Sequence, residues 1–314
     1  MNINKNTKMT LFNIDIKGKL NQINEIPFKL EKDIQTLTEQ NLETVLGIDF
    51  VCSEFSIGDF RIDTLAYDKS TSSFVIIEYK RDKNSSVIDQ GYTYLSFMLN
   101  NKADFILVYN EKNKNTLKKG NVDYWSQSRI IFISPSFTTY QKGAINFKDL
   151  PIELWEVKRY DSKIISYNQI RTSGGQESIK VIKSKDKTIE KVSQEIKVFT
   201  EQEHLSGKTD EIKELYENFK NAILNFDSLD IKPKKHYIAF IAKTNVIDIH
   251  LNKNSLKIWL NLQRGQLDDP KGLCRDVSNI GHWGNGDYEL KVNSDDNFEY
   301  ILSLIKQSLK HNQK

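Results

Sequence analysis

The chain has 314 residues, a length that indicates two domains rather than one. It contains 28% charged and 38% apolar residues, and its net charge of +3 is too small to indicate a nucleic-acid-binding protein by itself. No apolar run approaches the ~20 residues of a membrane span, and the first residues lack the apolar core of a signal peptide, so we expect a cytoplasmic protein with no membrane partner. Cys52 and Cys274 are expected to be buried thiols rather than a disulfide or a metal site.

The first part of the chain predicts a hairpin or edge strands, followed by a helix over residues 36–46. Thr36 and Glu39 have the spacing of a capping box at the start of that helix. Glu39 and Glu43 would lie one turn apart on the same side of it. The ordinary interpretation of such a pair is a solvated helix face.

A strand near residues 49–56 leads into a hairpin predicted over residues 58–80. Two runs rich in β-branched and aromatic residues flank a polar segment with the composition of a turn. If Tyr67 pairs with Phe74 across this hairpin, two carboxylates further along the strands come directly opposite each other. Opposed Cβ atoms in a sheet are ~5 Å apart.

The two carboxylates are those of Asp63 and Glu78. Carboxylates at this distance repel each other unless a cation lies between them, and Mg²⁺ takes oxygen ligands of this kind. Lys80 follows two residues after Glu78 and therefore points to the same face of the strand. Its ammonium group could orient a water molecule or offset charge on a phosphate.

A largely buried helix is predicted over residues 85–99, and on it Gln90 and Tyr94 share one face. A core hydrogen bond for the glutamine and simple packing for the tyrosine are the ordinary interpretations. Asp104 to Tyr109 is a continuous apolar run, typical of a strand buried on both faces. Two further strands are expected, over residues 129–134 and 153–160.

The last of these strands contains Glu156 and Lys158, which repeat the Glu-x-Lys spacing. No hairpin brings an aspartate to this pair, because the nearest upstream one, Asp149, is followed at once by Leu-Pro. We therefore expect an alternating strand with one face in water.

Asp63-x14-Glu78-x-Lys80 resembles the signature of the PD-(D/E)XK nucleases, which include restriction endonucleases and the RecB-like and NucS-like nucleases. RecB-like members also carry Gln-x-x-x-Tyr on the helix after the lysine strand, and Gln90 and Tyr94 match that pattern. The resemblance implies an α/β restriction-endonuclease-like domain with a mixed sheet and an αβββαβ core.

The resemblance also implies a set of roles. Asp63 and Glu78 would bind Mg²⁺ or Mn²⁺, with the backbone carbonyl of Tyr79 as a further ligand. Lys80 would position the attacking water. Glu43 matches a glutamate on the first core helix that faces the metal site in this family.

Gln90 and Tyr94 would orient the substrate. The implied function is a metal-dependent endonuclease that hydrolyses DNA phosphodiester bonds, in restriction or in defence against foreign DNA. Two alternatives stay open: a non-catalytic nucleic-acid-binding protein that retains the fold, and an accessory subunit of a larger restriction complex. A homodimer is a reasonable expectation, because two cuts in a duplex call for two active sites.

The composition divides the chain into a nuclease-like domain over residues 1–165, a polar linker over 166–208 and a smaller α+β domain over 209–314. In the last part, an amphipathic helix, three strands, a helix starting at Asp269-Pro270, a further strand and a final helix are predicted. The stretch from Leu267 to Asp287 resembles an uncharacterised C-terminal domain that is often attached to restriction-type nucleases.

A glycine-rich loop over residues 281–287 has two interpretations. In one, Trp283 packs on the core and His282 is exposed. In the other, the loop forms a substrate-binding pocket that stacks a base on Trp283 or Trp259 and pairs it through His282 or Asn285. A basic cluster that either contacts phosphates or forms a solvated loop lies upstream: Lys232, Lys234, Lys235 and His236.

Overall fold

The chain folds as a mixed α/β protein. Its structure, a computed structural model, describes residues 10–58, 60–80, 87–113, 116–117, 125–145, 150–170 and 187–313. These residues form a seven-stranded sheet, a six-stranded sheet and a separate two-stranded hairpin. No helix in these ranges has both the length and the apolar character that crossing a bilayer requires.

Three short strands and two helices come before the main sheet. They are β1 (Leu11–Ile14), β2 (Leu20–Ile23), β3 (Glu25–Ile26), α1 (Glu31–Glu39) and α2 (Leu42–Leu46). The single helix predicted over residues 36–46 is therefore wrong, and so is its capping box, because Thr36 lies inside α1. Asp33 provides the N-terminal cap instead: its carboxylate accepts the N–H of Leu30 at 3.1 Å.

The seven-stranded sheet has the order β3-β8-β7-β6-β5-β4, and β9 pairs with β8. Its β6–β7 and β7–β8 pairs are parallel and the others antiparallel, so the sheet is mixed, as predicted. The strands are β4 (Asp49–Ile57), β5 (Phe60–Asp68), β6 (Ser73–Tyr79), β7 (Arg129–Ser134), β8 (Ile152–Tyr160) and β9 (Ile165–Gln169). Parallel pairing requires crossovers, and these contain α3 (Val87–Asn100), α4 (Lys102–Lys112) and α5 (Thr139–Ala144).

The strand predicted from Asp104 to Tyr109 is wrong, because this run lies in α4. Phe105 and Tyr109 are one turn apart and buried, whereas Leu107 between them is 58% exposed. The helix thus buries one side only. The strand that completes the predicted core order is β7.

Both faces of the seven-stranded sheet are covered. Phe74 and Ile76 of β6 pack in the core beside α3 and α4, and Val75 and Ile77 pack on the opposite side with Ile34 of α1. All seven residues of β6 are consequently buried. A polar side chain on this strand is held away from bulk water wherever it lies.

The six-stranded sheet is antiparallel, with the order β10-β11-β12-β13-β15-β14. Two helices pack on one of its faces. The elements after β9, in chain order, are α6 (Lys187–Glu195), α7 (Glu201–Leu205), α8 (Asp210–Leu224), β10 (Asp230–Pro233), β11 (Ile238–Ile241), β12 (Asn245–Leu251), β13 (Leu256–Leu260), β14 (Arg275–Asp276), β15 (Tyr288–Val292) and α9 (Phe298–Asn312). The amphipathic helix, the three strands and the final helix agree with the sequence prediction.

The helix predicted from Asp269-Pro270 is wrong. The Asp269 carboxylate accepts the N–H of Cys274 at 2.7 Å and the hydroxyl of Tyr300 at 2.7 Å, which fixes a turn rather than a helix start. The chain from Leu267 to Asp287 is irregular apart from β14.

The segment predicted as a linker contains structure that packs on the first sheet. β9 begins at its N-terminal end, and Val192 and Ile196 of the α6 region lie in the core beside α3. The proposed boundaries at residues 165 and 208 stay a prediction. Cys52 and Cys274 are free thiols.

Candidate active site

The hairpin of β5 and β6 opens at one end, and the candidate site lies there. Tyr67 pairs with Phe74, which confirms the predicted register, and the ladder continues only to Thr64 opposite Ile77. Beyond that point, side-chain carboxylates rather than backbone carbonyls accept the N–H groups of the two strands. The N–H of Asp63 donates to Oε1 of Glu78 at 3.2 Å, and the N–H of Tyr79 donates to Oδ2 of Asp63 at 3.0 Å. These hydrogen bonds hold both carboxylates side by side.

Burial and mutual repulsion dominate the electrostatics of the two acids. Glu78 is only 2% exposed. Burial and then the neighbouring Asp63 raise the pKa of Glu78 to about 8. Burial also raises the pKa of Asp63, against the opposing effects of the Tyr79 N–H and of Lys80. The Lys80 ammonium is 3.7 Å from Oε2 of Glu78, too long for a hydrogen bond.

The donor set fits a divalent cation. Each carboxylate uses one oxygen for its backbone hydrogen bond, which leaves a second oxygen able to bind a metal. The N–H of Tyr79 points towards β5. Because the N–H and the carbonyl of one strand residue point to the same side of the strand, the carbonyl of Tyr79 faces the opening as well. Within the described ranges no cluster of three or more His, Cys, Asp or Glu side chains could hold a metal. A cation here would therefore keep several waters, as Mg²⁺ usually does.

Helix α3 brings the two predicted substrate-binding residues to the same place. The Tyr94 hydroxyl donates to the carbonyl of Arg61 at 3.2 Å. Burial and then the charge of Glu78 raise the pKa of Tyr94 to about 12. Oε1 of Gln90, one turn earlier, is buried without a hydrogen-bond partner among the described residues. Such an atom is uncommon in folded proteins, and a water or a ligand can provide the missing hydrogen bond.

The structure does not bring Glu43 to the acids, contrary to the prediction. Glu43 is exposed on α2, and its charge acts on Lys69, which follows β5 six residues beyond Asp63. The cause is the break between α1 and α2, which removes Glu43 from the helix face that packs on the sheet.

Sequence reasoning missed the residues of α1 and β4 that do reach the site. Gln35 is 4% exposed, and its side-chain NH₂ donates to the carbonyl of Asp63 at 2.8 Å. Glu54 has a left-handed backbone (φ 56°) within β4, and its charge, with that of Glu31, adds to the raised pKa of Asp63. No spacing in the sequence identifies these three, because Glu31 and Gln35 depend on how α1 lies on the sheet and Glu54 depends on how β4 pairs with β5.

In the loop between β14 and β15 of the six-stranded sheet, Trp283 is 55% exposed and stacks on His236 with ring centroids 4.5 Å apart. The expectation that it packs in the core is wrong. Trp259 is 1% exposed, so a base cannot stack on it. The ring of His282 lies near Trp259, and its Nδ1 is 2.8 Å from the carbonyl of Gly284. A substrate-binding role for His282 stays a prediction.

Two other expectations for this region are corrected. The Asn285 side chain donates to the buried Asp248 at 2.7 Å and to the hydroxyl of Tyr237 at 3.2 Å, so it is engaged within the protein. Lys234 is 8% exposed and lies 3.8 Å from Asp68. It therefore cannot serve as a surface contact for phosphate.

Residues 201–312 match a family described as "Domain of unknown function (DUF5655)". An uncharacterized protein of Haemophilus influenzae is 55% identical over 295 residues, which covers 94% of this chain and 97% of that protein.

Three solved structures are also similar over part of the chain. A repair endonuclease from Pyrococcus abyssi shares 20% identity over 39% of this chain and 45% of its own, with a TM-score of 0.23. EndoMS bound to double-stranded DNA shares 18% identity over 38% of this chain and 43% of its own, with a TM-score of 0.23. EndoMS in its apo form shares 19% identity over 40% of this chain and 44% of its own, with a TM-score of 0.25. The chain thus spans less than half the length of each of these solved chains. At the level of the whole chain, the protein belongs to the same family as the Haemophilus influenzae protein.

Proposed function

We propose that this protein is a metal-dependent endonuclease that hydrolyses phosphodiester bonds of DNA, with its active site at the open end of the β5–β6 hairpin. The observation that carries the proposal is the arrangement of Asp63, Glu78 and Lys80. A buried carboxylate, Glu78, and a half-buried one, Asp63, lie side by side with raised pKa values, and the Lys80 ammonium is 3.7 Å from Glu78. Perturbed acids of this kind are typical of functional sites.

Asp63, Glu78 and the carbonyl of Tyr79 would hold Mg²⁺ or Mn²⁺. When bound, such a cation lowers the pKa of a coordinated water and stabilises charge on the scissile phosphate. The raised pKa of Glu78 means that this side chain retains a proton near neutral pH in the absence of a cation. Glu78 would have to give up that proton to serve as a ligand.

Lys80 is partly open to solvent beside the acids, with 24% of its side chain exposed. Its ammonium group would orient the attacking water and offset charge that develops on the phosphate. Gln90 and Tyr94 lie beside the acids on α3. Their amide and hydroxyl groups would hold the substrate backbone in place.

Restriction or defence against foreign DNA is the biological role that the sequence resemblance implies, and we retain it as part of this proposal. The proposed site lies wholly within one chain. A homodimer would bring two such sites to a duplex.

The test is cleavage of plasmid and single-stranded DNA with Mg²⁺, Mn²⁺ or EDTA by the wild type, Asp63→Asn and Lys80→Met. We expect metal-dependent cutting that each substitution lowers by at least about a hundredfold. The chain supplies matched controls, because Glu156 and Lys158 repeat the Glu-x-Lys spacing on β8. They pair instead with Lys142 at 2.8 Å and Glu25 at 3.5 Å. Glu156→Gln and Lys158→Met should cut like the wild type.

Cutting that persists in Asp63→Asn, or that falls equally in the control variants, would exclude this site. DNA binding without cutting by a folded wild type would support the alternatives instead. These are a binding protein that retains the fold and a subunit that cuts only with a partner.

A further inference from the structure

The six-stranded sheet has a second face, opposite to α8 and α9. His250 of β12 pairs with Lys257 of β13, and Lys257 pairs with Lys291 of β15, so the three side chains form a row across the sheet. Their neighbours along the strands point the other way, into the helix-covered core. The row thus lies on the face that the helices do not cover.

Trp283 lies beside this row. Its ring stacks on His236, with an angle of 14° between the planes, and contacts His250 at a centroid distance of 5.1 Å. One face of the indole is therefore against His236, and the residue is 55% exposed, so part of the ring remains open to solvent. The other three tryptophans of the chain are less exposed.

The loop that carries Trp283 is held firmly by its neighbours. A Cβ atom at Gly284 would come within 2.3 Å of the Trp259 ring, and one at Gly286 within 2.0 Å of the carbonyl of Leu260. Glycine at these two positions thus allows the loop to lie directly on β13. The N–H of Asn285 donates to the buried Asp248 carboxylate at 2.6 Å. Trp283 is consequently presented on a rigid support.

The same loop is connected to the hairpin of the candidate active site. Asn285 donates to the hydroxyl of Tyr237 at 3.2 Å, and that hydroxyl donates to the carbonyl of Ser70 at 2.6 Å. Ser70 lies in the turn between β5 and β6, the strands of Asp63 and Glu78. A nucleic-acid strand bound at Trp283 would thus be held on a scaffold joined to that hairpin.

Cations outnumber the carboxylate with which they pair on this face of β13 and β15. Lys257 and Arg275 both pair with Glu289, at 3.3 and 3.0 Å, so two cations share one carboxylate. Lys291 adds a further exposed cation. An exposed aromatic face next to a row of cations suits a ligand that alternates flat bases with phosphates. A duplex hides its base faces by stacking, whereas a single strand can offer one to the indole.

We propose that the Trp283 face, defined by His236, His250, Lys257, Trp283 and Lys291, binds single-stranded nucleic acid. A base stacks on the exposed part of Trp283, and Lys257 and Lys291 contact successive phosphates along the row. The inference rests on the proposed nuclease function only in that it names the form in which part of the substrate is held.

The test is binding of a labelled oligothymidine of about fifteen nucleotides, a length within the range of known single-strand sites. The full chain carrying Asp63→Asn is used in EDTA, so that cleavage does not interfere. We expect Trp283→Ala to weaken binding by about tenfold or more and Trp283→Phe to restore most of it. Tyr140→Ala, which removes a 79% exposed aromatic from α5, should have no effect.

A second measurement tests the cations through the salt dependence of binding. Lys291→Gln should lower the slope of log affinity against log salt by about 0.7, the value for one contact with a single-strand phosphate. Lys310→Gln on α9, on the helix-covered side of the sheet, is the matched control and should leave the slope unchanged.

Equal affinities for Trp283→Ala and Tyr140→Ala, with unchanged urea midpoints, would overturn the inference even if the wild type cuts DNA. The reverse result is equally distinct. Trp283-dependent binding in a protein whose wild type never cuts would keep the Trp283 face and remove the nuclease function.

Discussion

The β5–β6 hairpin buries a carboxylate near each of its ends, and the protein treats the two differently. At the turn, Asp68 is 4% exposed and lies 2.9 Å from Arg129 and 3.8 Å from Lys234. Burial alone would raise the pKa of Asp68, but Lys234 and Arg129 together hold it well below its ordinary value. At the open end, Glu78 is 2% exposed, and burial with the nearby Asp63 raises its pKa to about 8.

The difference teaches how a structural acid can be told from a functional one when burial is the same. Removing a carboxylate from water is costly, and the folded protein persists only if something offsets that cost. Cations of the protein offset it for Asp68. At Glu78 most of the offset has to come from a proton or from a bound cation. The open end is therefore a place where the fold gives up stability for binding.

The largest expected effect comes from removing the compensation at the turn. Arg129 lies between Asp68 and Glu153, at 2.9 and 2.8 Å, so Arg129→Met leaves a buried carboxylate and a half-buried one with reduced compensation. We expect a loss of about 3–5 kcal/mol in the free energy of unfolding, measured with urea. Arg61→Met, at an arginine whose side chain is 67% exposed, is the control and should cost less than about 1 kcal/mol. Similar losses in the two variants would contradict the comparison.

At the open end, replacing a charged side chain with a neutral one should raise the stability rather than lower it. The folded protein holds the Glu78 proton up to about pH 8, whereas the unfolded chain releases it near the ordinary value of 4.5. The stability that this group contributes is therefore lost as the pH rises through that window. Glu78→Gln has no proton to lose, so in EDTA its stability relative to the wild type should rise by about 4 kcal/mol between pH 4.5 and pH 8.5.

Unfolding by urea at several pH values between 4.5 and 8.5 checks this prediction. Glu25→Gln, at a glutamate whose side chain is 41% exposed, provides the control and should follow the wild type. A constant difference between Glu78→Gln and the wild type across the window would show that the carboxylate is already compensated. Asp68 has the reverse sign: its stabilising effect is present above its ordinary pKa of 3.8 and is lost as the pH falls.

A divalent cation should compensate the charge of the acids at the open end and so stabilise the fold. At a concentration ten times its dissociation constant, Mn²⁺ or Mg²⁺ should stabilise the wild type by about 1.4 kcal/mol at pH 8. Asp63→Asn should lose most of this gain, because one of the two carboxylates is neutralised. Glu156→Gln should keep it. Thermal unfolding with and without the cation is the measurement, and equal shifts in all three proteins would place the binding elsewhere.

The hairpin could be predicted because its determinants are local. The polar turn and the alternation of the flanking strands set the pairing of Tyr67 with Phe74, and that register brings Asp63 opposite Glu78. The same local reasoning failed where the decisive contact is distant. Asp269 looks like a helix cap, but the Tyr300 hydroxyl, 31 residues away, holds its carboxylate in a turn.

Two further features could not be predicted from the sequence: the secondary structure of short apolar runs and the exposure of single side chains. The run containing Phe105 and Leu107 fits a buried strand or a one-sided helix equally well from its letters. Lys234 and Trp259 gave no sign of burial, because each is covered by an element remote in sequence. Asp68 covers the first, and the Gly284 loop covers the second.

The smallest expected effect concerns the helix residue that supports the open end. Gln35 donates to the carbonyl of Asp63 at 2.8 Å, so Gln35→Met should loosen the position of that acid. Outer groups of this kind typically change metal affinity or activity by about tenfold or more. We expect Gln35→Met to raise the Mg²⁺ concentration needed for half-maximal cleavage by about tenfold. Glu43→Gln, at the exposed position first expected to face the metal, should leave it within about twofold. The reverse order would mean that α2, rather than α1, lies against the open end when the cation is bound.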